Sequence, residues 1–163
     1  MKKRILTLLL ILLLPNLSFA AAYVVVGVLD GDTIKVMDPD GQKISVRLYG
    51  IDCPETAKRG KAGQAYGNVA KKRINELIRK EYVDLETYGS DRYGRTIAVV
   101  WSDGVNINET LVKEGLAWLY VTYCKESFCN SWGNFESQAQ RNNIGLFADQ
   151  NAVPPWEWRK SNK

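Results

Sequence analysis

Residues 43–49 alternate without a break. Ile44, Val46 and Leu48 share one face, and Lys43, Ser45, Arg47 and Tyr49 share the other. A side-chain period of two belongs to a strand with one buried face, so Arg47 leaves the sheet opposite the core residues. The strand then runs into Gly50-Ile51-Asp52-Cys53-Pro54-Glu55. The glycine before this loop and the proline between its two acids turn the backbone away from helix. Two carboxylates three residues apart on a rigid turn can face one point. Hard divalent cations need such a convergence of oxygens, and calcium in particular takes carboxylates together with backbone carbonyls. A plain surface turn with solvated acids competes with that reading, and the decision lies upstream and downstream.

The first twenty residues stand apart. Lys2, Lys3 and Arg4 are followed by an almost wholly apolar run over 5–14, then by small residues at Ser18-Phe19-Ala20 and Ala20-Ala21-Ala22. This pattern predicts a secretory signal over 1–20, cut after Ala20 or Ala22. The apolar run is short for a membrane span. The remaining chain, roughly 140 residues, suits one domain with its own core. We place that domain at 23–150 and expect an irregular tail over 151–163. The expected address is periplasmic or extracellular, with no stable membrane association after cleavage.

Charge then has to be counted without the leader. Of 22 basic and 18 acidic residues, three basic ones lie in the leader, which leaves 19 against 18 and a net charge of +1. Distribution says more than the total. Lys58, Arg59, Lys61, Lys71, Lys72, Arg73, Arg79 and Lys80 lie within one stretch that holds a single acid, Glu76. This is a local basic patch in a nearly neutral protein.

The chain has three cysteines and no histidine. The missing histidine excludes Cys-His and Ser-His-Asp enzymes and histidine-ligated zinc. In an oxidising compartment Cys124 and Cys129 are expected to bridge, closing a short loop. Cys53 is then the odd thiol, read as structural, although pairing of Cys53 with either of the others also fits the count.

Strands are expected over 23–29, 33–37, 43–49, 82–87 and 96–101, with helices over 62–80, 107–114 and 132–142. Asp38-Pro39-Asp40-Gly41 is a turn. Asn106 with Glu109 resembles a capping box, and Gly115 is a helix stop. Residues 120–123 are aromatic and read as extended. Five strands with a helix after the third is the element order of a five-stranded oligonucleotide-binding (OB-fold) barrel, an α+β, mainly β class.

Asp30-Gly31-Asp32 forms a short acidic turn between the first two strands, a setting that Asp-Gly also serves as a plain hairpin. Asp32, Asp52 and Glu55 could together offer three carboxylates to one ion, with the Cys53 carbonyl as a fourth oxygen. Arg95, in Asp91-Arg92-Tyr93-Gly94-Arg95, offers a planar fork suited to phosphate.

Asp30-Gly31-Asp32-Thr33, Arg47-Leu48 leading to Asp52-Cys53-Pro54-Glu55, and Asp91-Arg92-Tyr93-Gly94-Arg95 resemble the three signatures of the staphylococcal nuclease (thermonuclease) family, in the same order. The resemblance continues through Asn108-Glu109-Thr110-Leu111-Val112 and Glu114-Gly115-Leu116-Ala117 to Asn143-Ile144-Gly145-Leu146-Phe147. It implies a five-stranded barrel with three helices and a calcium-dependent nuclease acting on DNA and RNA, single strands preferred. It implies bond breaking at the 5′ oxygen and 3′-phosphate products. Asp32 and Asp52 would be calcium ligands, with the Cys53 carbonyl, and Asp30 would stand just behind them. Glu55 would hold the attacking water as general base. Arg47 and Arg95 would bind the scissile phosphate, Arg95 also assisting departure of the 5′ oxygen. Tyr123, Tyr120 and Arg92 are the candidate nucleic-acid contacts.

The sequence departs from the family at three places. Cys53 stands where threonine is common, which a carbonyl ligand tolerates. Tyr123 matches one tyrosine of the family's nucleotide pocket, while Val121 stands at the other. The Cys124–Cys129 segment and the Pro-Pro-Trp-Glu-Trp tail have no counterpart, and Trp156 and Trp158 are expected to cover the barrel bottom. The expected molecule is a monomer. The alternatives are a catalytically silent nucleic-acid-binding module of the same barrel, and a plain calcium-binding export protein.

Overall fold

The structure is a computed structural model and describes residues 22–78 and 81–162. The secretory signal lies outside the described residues. The elements run β1 (Tyr23–Asp30), β2 (Thr33–Met37), β3 (Lys43–Leu48), β4 (Ile51–Asp52), α1 (Gly67–Leu77), β5 (Tyr82–Ser90), β6 (Thr96–Ser102), β7 (Val105–Asn106), α2 (Ile107–Lys113), β8 (Trp118–Leu119) and α3 (Cys129–Arg141). A 3₁₀ turn over Gly145–Ala148 and a last helix, α4 (Pro155–Ser161), complete the chain.

The main sheet runs β3-β2-β1-β5-β6-β7, and a further β3–β6 pairing closes five of these strands into the expected barrel. The closing pair is parallel, Val46 opposite Thr96 and Leu48 opposite Ala98, while the other ladders are antiparallel. Closure requires strong bending, and β1 supplies it with register breaks between Val25 and Gly27 and between Val28 and Asp30. A bulge of this kind bends the strand and raises its twist.

The alternation in β3 is honoured. Val46 and Leu48 are buried in the barrel with Ile34, Val36, Val99 and Val100. Each such side chain contributes about 1.5–3 kcal/mol on full burial. Trp132 of α3 is the largest fully buried side chain and joins the same core. Asn106 caps α2 as expected, its side chain accepting from the Glu109 N–H at 3.0 Å, and Gly115 follows the helix with a positive φ of 61°.

Several expected boundaries move. The helix expected over 62–80 begins only at Gly67. Residues ahead of it serve the acidic loop instead: the Gln64 N–H donates to the Glu55 carbonyl at 2.8 Å, and the Gln64 side chain accepts from the Glu55 N–H at 3.0 Å. β5 runs three residues further than expected, and the third helix starts at Cys129. Residues 120–123 are a turn rather than extended, closed by the Tyr123 N–H on the Tyr120 carbonyl at 2.8 Å. There are four α-helices among the described residues where three were expected. The tail is not irregular: Pro155 occupies the first turn of α4, where its fixed φ suits a helix and its missing N–H costs nothing.

Candidate active site

The loop after β3 is held on three sides. The Tyr49 N–H donates to the Ala98 carbonyl at 2.7 Å, and Ile51 and Asp52 pair with Leu119 and Trp118 across the β4–β8 ladder. The third support is the β1–β2 hairpin turn. The Leu48 N–H donates to the Asp32 carbonyl at 2.9 Å, the Cys53 N–H to Asp32 Oδ2 at 2.8 Å, and Cys53 Sγ to the Gly31 carbonyl at 2.9 Å. Gly31 is required here because a Cβ would lie 2.8 Å from the Cβ atoms of both Ala70 and Cys53. The two acidic turns, distant in sequence, thus become one surface.

Arg47 bridges them. Its Nη1 lies 2.8 Å from Asp32 Oδ2 and its Nη2 2.7 Å from Asp52 Oδ1. Asp52 is fully buried, and burial pushes its pKa up, while the hydrogen bond from Arg159 and the charge of Arg47 pull it down. Asp30 points elsewhere. It accepts from the Thr56 hydroxyl and pairs with Lys58 at 2.9 Å, so it braces the loop from behind without touching Asp32 or Asp52. Cys53 is buried and unpaired, and burial raises its thiol well above the ordinary value, which makes it a poor nucleophile. Its structural role agrees with the expectation, as does the Cys124–Cys129 bridge.

Arg95 is not gathered into this cluster. Its Nε donates to Asp91 Oδ2 at 2.7 Å, and its Nη2 lies 2.7 Å from the same oxygen. It stands one residue before β6, the strand paired with the one that carries Arg47. Arg92 lies over the Tyr93 ring at 4.9 Å from its centre. Tyr123 is exposed and meets Tyr120 edge to face at 4.7 Å.

The sequence reading missed the residue that contacts the acids most. Arg159 of α4 places Nη2 2.7 Å from Asp52 Oδ2 and Nη1 2.8 Å from Glu55 Oε1. Its Nη1 also lies 3.2 Å from Asp52 Oδ1. Trp156, one turn earlier, stacks on Tyr120 with ring centres 5.0 Å apart and 11° between planes. The tail tryptophans therefore pack beside the acidic loop and do not cover a remote end of the barrel. Pro155, a residue type suited to the first helical position, was the available signal. No local pattern could have announced a contact between residues 107 positions apart.

Among the described residues no three carboxylate, thiol or imidazole groups are gathered at metal-ligand spacing. Asp32 and Asp52 converge on Arg47, and Asp52 and Glu55 converge on Arg159. Two guanidinium groups thus mark where positive charge is held. The donors are hard oxygens, which suits calcium or magnesium and not a soft metal.

A family model described as staphylococcal nuclease homologue matches residues 45–149. The chain belongs to the staphylococcal nuclease family. This family member is 39% identical over 148 residues to micrococcal nuclease of Shigella flexneri, across 85% of this chain and 80% of that protein. It is 38% identical over 139 residues to an uncharacterized endonuclease of Haemophilus influenzae, across 85% of this chain and 73% of that one. A staphylococcal-like nuclease of Arabidopsis thaliana is 34% identical over 122 residues, which cover 75% of this chain and 35% of the plant protein. Family and relatives together make the chain a nuclease, hence a hydrolase. The family match takes in Arg47, Asp52, Glu55 and Arg95 and stops before Trp156 and Arg159.

Proposed function

We propose that the chain is an exported, calcium-dependent nuclease that hydrolyses phosphodiester bonds of DNA and RNA, breaking the bond to the 5′ oxygen and leaving 3′-phosphates. The observation that carries this reading is the convergence of Asp32 and Asp52 on Arg47, with Glu55 on the same short loop. Asp32, Asp52 and the Cys53 carbonyl would hold the cation. When bound it supplies a positive centre that lowers the cost of negative charge on the phosphate. Everything else falls to side chains of the chain. Glu55 accepts a proton from water as the water oxygen adds to phosphorus. The bond from phosphorus to the 5′ oxygen breaks with Arg95 assisting its departure, that oxygen takes a proton from solvent water, and the 3′ oxygen keeps the phosphate. Arg47 and Arg95 are the guanidinium groups for the equatorial oxygens, whose charge grows in the transition state. Arg95 commits Nε and Nη2 to Asp91, and its Nη1 makes no bond among the described residues.

The tyrosines give a stacking surface, a contact that every base satisfies and that favours single strands. Export is supported by the leader-like start of the sequence and by the Cys124–Cys129 bridge, since such bonds persist in oxidising compartments. The test is cleavage of heat-denatured DNA and of RNA with calcium, with magnesium and with EDTA, followed by typing of the product ends. Calcium-dependent cleavage leaving 3′-phosphates is expected. Glu55→Gln and Arg95→Ala are each expected to lower kcat by roughly 10²–10³-fold with the fold intact. Wild-type rates in either variant would sink the mechanism. Tight, salt-sensitive binding without cleavage in any metal would place the barrel among binding modules.

A further inference from the structure

We infer that α4 is an internal occupant of the site: Arg159 holds the acids that a divalent cation needs, Trp156 holds the Tyr120 ring that a base needs, and calcium must displace the helix to load. This rests on the calcium reading above.

The argument begins with atoms. Asp52 has two carboxylate oxygens, and both are bonded to guanidinium groups: Oδ1 to Arg47 at 2.7 Å and Oδ2 to Arg159 at 2.7 Å. Glu55 Oε1 is taken by Arg159 at 2.8 Å. A calcium ion binds carboxylate oxygens at about 2.3–2.6 Å. Arg159 stands 3.2 and 2.7 Å from the two Asp52 oxygens, so its guanidinium fills the approach that an ion would take from the α4 side.

Charge leads to the same conclusion. Asp30, Asp32, Asp52 and Glu55 are four acids facing three bases, Arg47, Arg159 and Lys58, so a doubly charged ion that replaces Arg159 neutralises the cluster while one added beside it overshoots. Asp52 already contacts two guanidinium groups, and adding a doubly charged ion with Arg159 in place would put a third cation against one buried carboxylate, a repulsive arrangement in a site of low dielectric. Removing Arg159 would leave a buried carboxylate without that partner, which is costly unless another cation arrives. Arg159 and the ion therefore exchange.

The rest of α4 follows. The helix has seven residues, too few to persist without a surface to dock on. Its anchors are Trp156, stacked on Tyr120 and edge-on to Trp118 at 6.2 Å, and Arg159 itself. Loss of the Arg159 pairs leaves the stack as the main hold. Tyr120 is one of the rings proposed to meet a base, so release of α4 exposes metal site and stacking surface together.

A competitor that occupies the site most of the time weakens apparent affinity by the fraction of protein in the competent state. The test is calorimetric titration of the full chain with calcium, with hydrogen exchange at the α4 amides, and needs no cleavage assay. Arg159→Ala is expected to bind calcium about tenfold more tightly, equivalent to about 1.4 kcal/mol. Trp156→Ala should also tighten binding although it touches no acid, and Arg159→Lys should stay near the wild type. In the wild type, saturating calcium should speed exchange across 157–162. Unchanged or weaker affinity in both Arg159→Ala and Trp156→Ala overturns the proposal, as does calcium that binds without altering α4 exchange. No heat from any variant would remove the calcium reading itself and the exchange with it, a result distinct from calcium bound equally by all.

Discussion

Asn108 is fully buried, and three backbone groups depend on it. Its Oδ1 accepts from the Val100 N–H at 3.0 Å, and its Nδ2 donates to the carbonyls of Tyr49 at 3.0 Å and Ala98 at 3.3 Å. One side chain thus ties α2 to β6 and to the start of the acidic loop. Asn108→Ala strands the buried Val100 N–H and the Tyr49 carbonyl, each worth about 1–3 kcal/mol, while the Ala98 carbonyl keeps the Tyr49 N–H. Urea unfolding should show a loss of about 3 kcal/mol as a lower midpoint with an unchanged slope. Gly67 acts on the site by another route. A Cβ there would lie 2.3 Å from the Glu55 carbonyl oxygen, so Gly67→Ala must push the loop that aims Glu55. A displacement near 1 Å costs about a hundredfold in rate. We expect kcat/KM to fall by that order. The melting temperature should move far less, because alanine favours the helix by about 1 kcal/mol.

At the scale of elements, the Cys124–Cys129 bridge closes a short loop against the shoulder of the acidic turn, where a Cβ on Gly50 would meet Cys124 Sγ at 2.6 Å. For a loop of this length the entropy of closure gives about 2 kcal/mol. Cys124→Ser with Cys129→Ser should lose about that much in denaturant titration. The strands were legible because half-buried strands alternate, as β2 does from Ile34 to Val36 and β3 from Val46 to Leu48. The candidate site was legible where its residues are neighbours in sequence, as in the loop from Gly50 to Glu55. It was less so where long-range contact decides. The start of α1 failed because Gln64 spends its backbone N–H and its side chain on Glu55, a tertiary demand that overrides helical pattern. α4 failed because two prolines read as a break, although the second fits the first turn of a helix. Arg159 had no local signature at all, since its partners belong to a loop on the far side of the chain.

At the scale of the whole molecule, the proposed ion would link parts of the chain that lie apart in sequence. Asp32 and Asp52 belong to separate turns that the β2–β3 pairing brings together, so a ligand joining them binds the folded state and not the unfolded chain. Such a ligand adds about 2.7 kcal/mol at a hundred times its Kd. Calcium should therefore raise Tm in a scan, EDTA should reverse the rise, and Arg159→Ala should show the larger rise at equal calcium. The parallel pairing of β3 with β6 has one more consequence, set by the order in which a chain is made. Synthesis delivers the amino terminus first. Asp32, Arg47, Asp52 and Glu55 leave the ribosome before β6 exists to close the barrel, and Arg159 leaves last of all. A chain at that stage holds the four acids and lacks Arg95, the closing strand and Arg159.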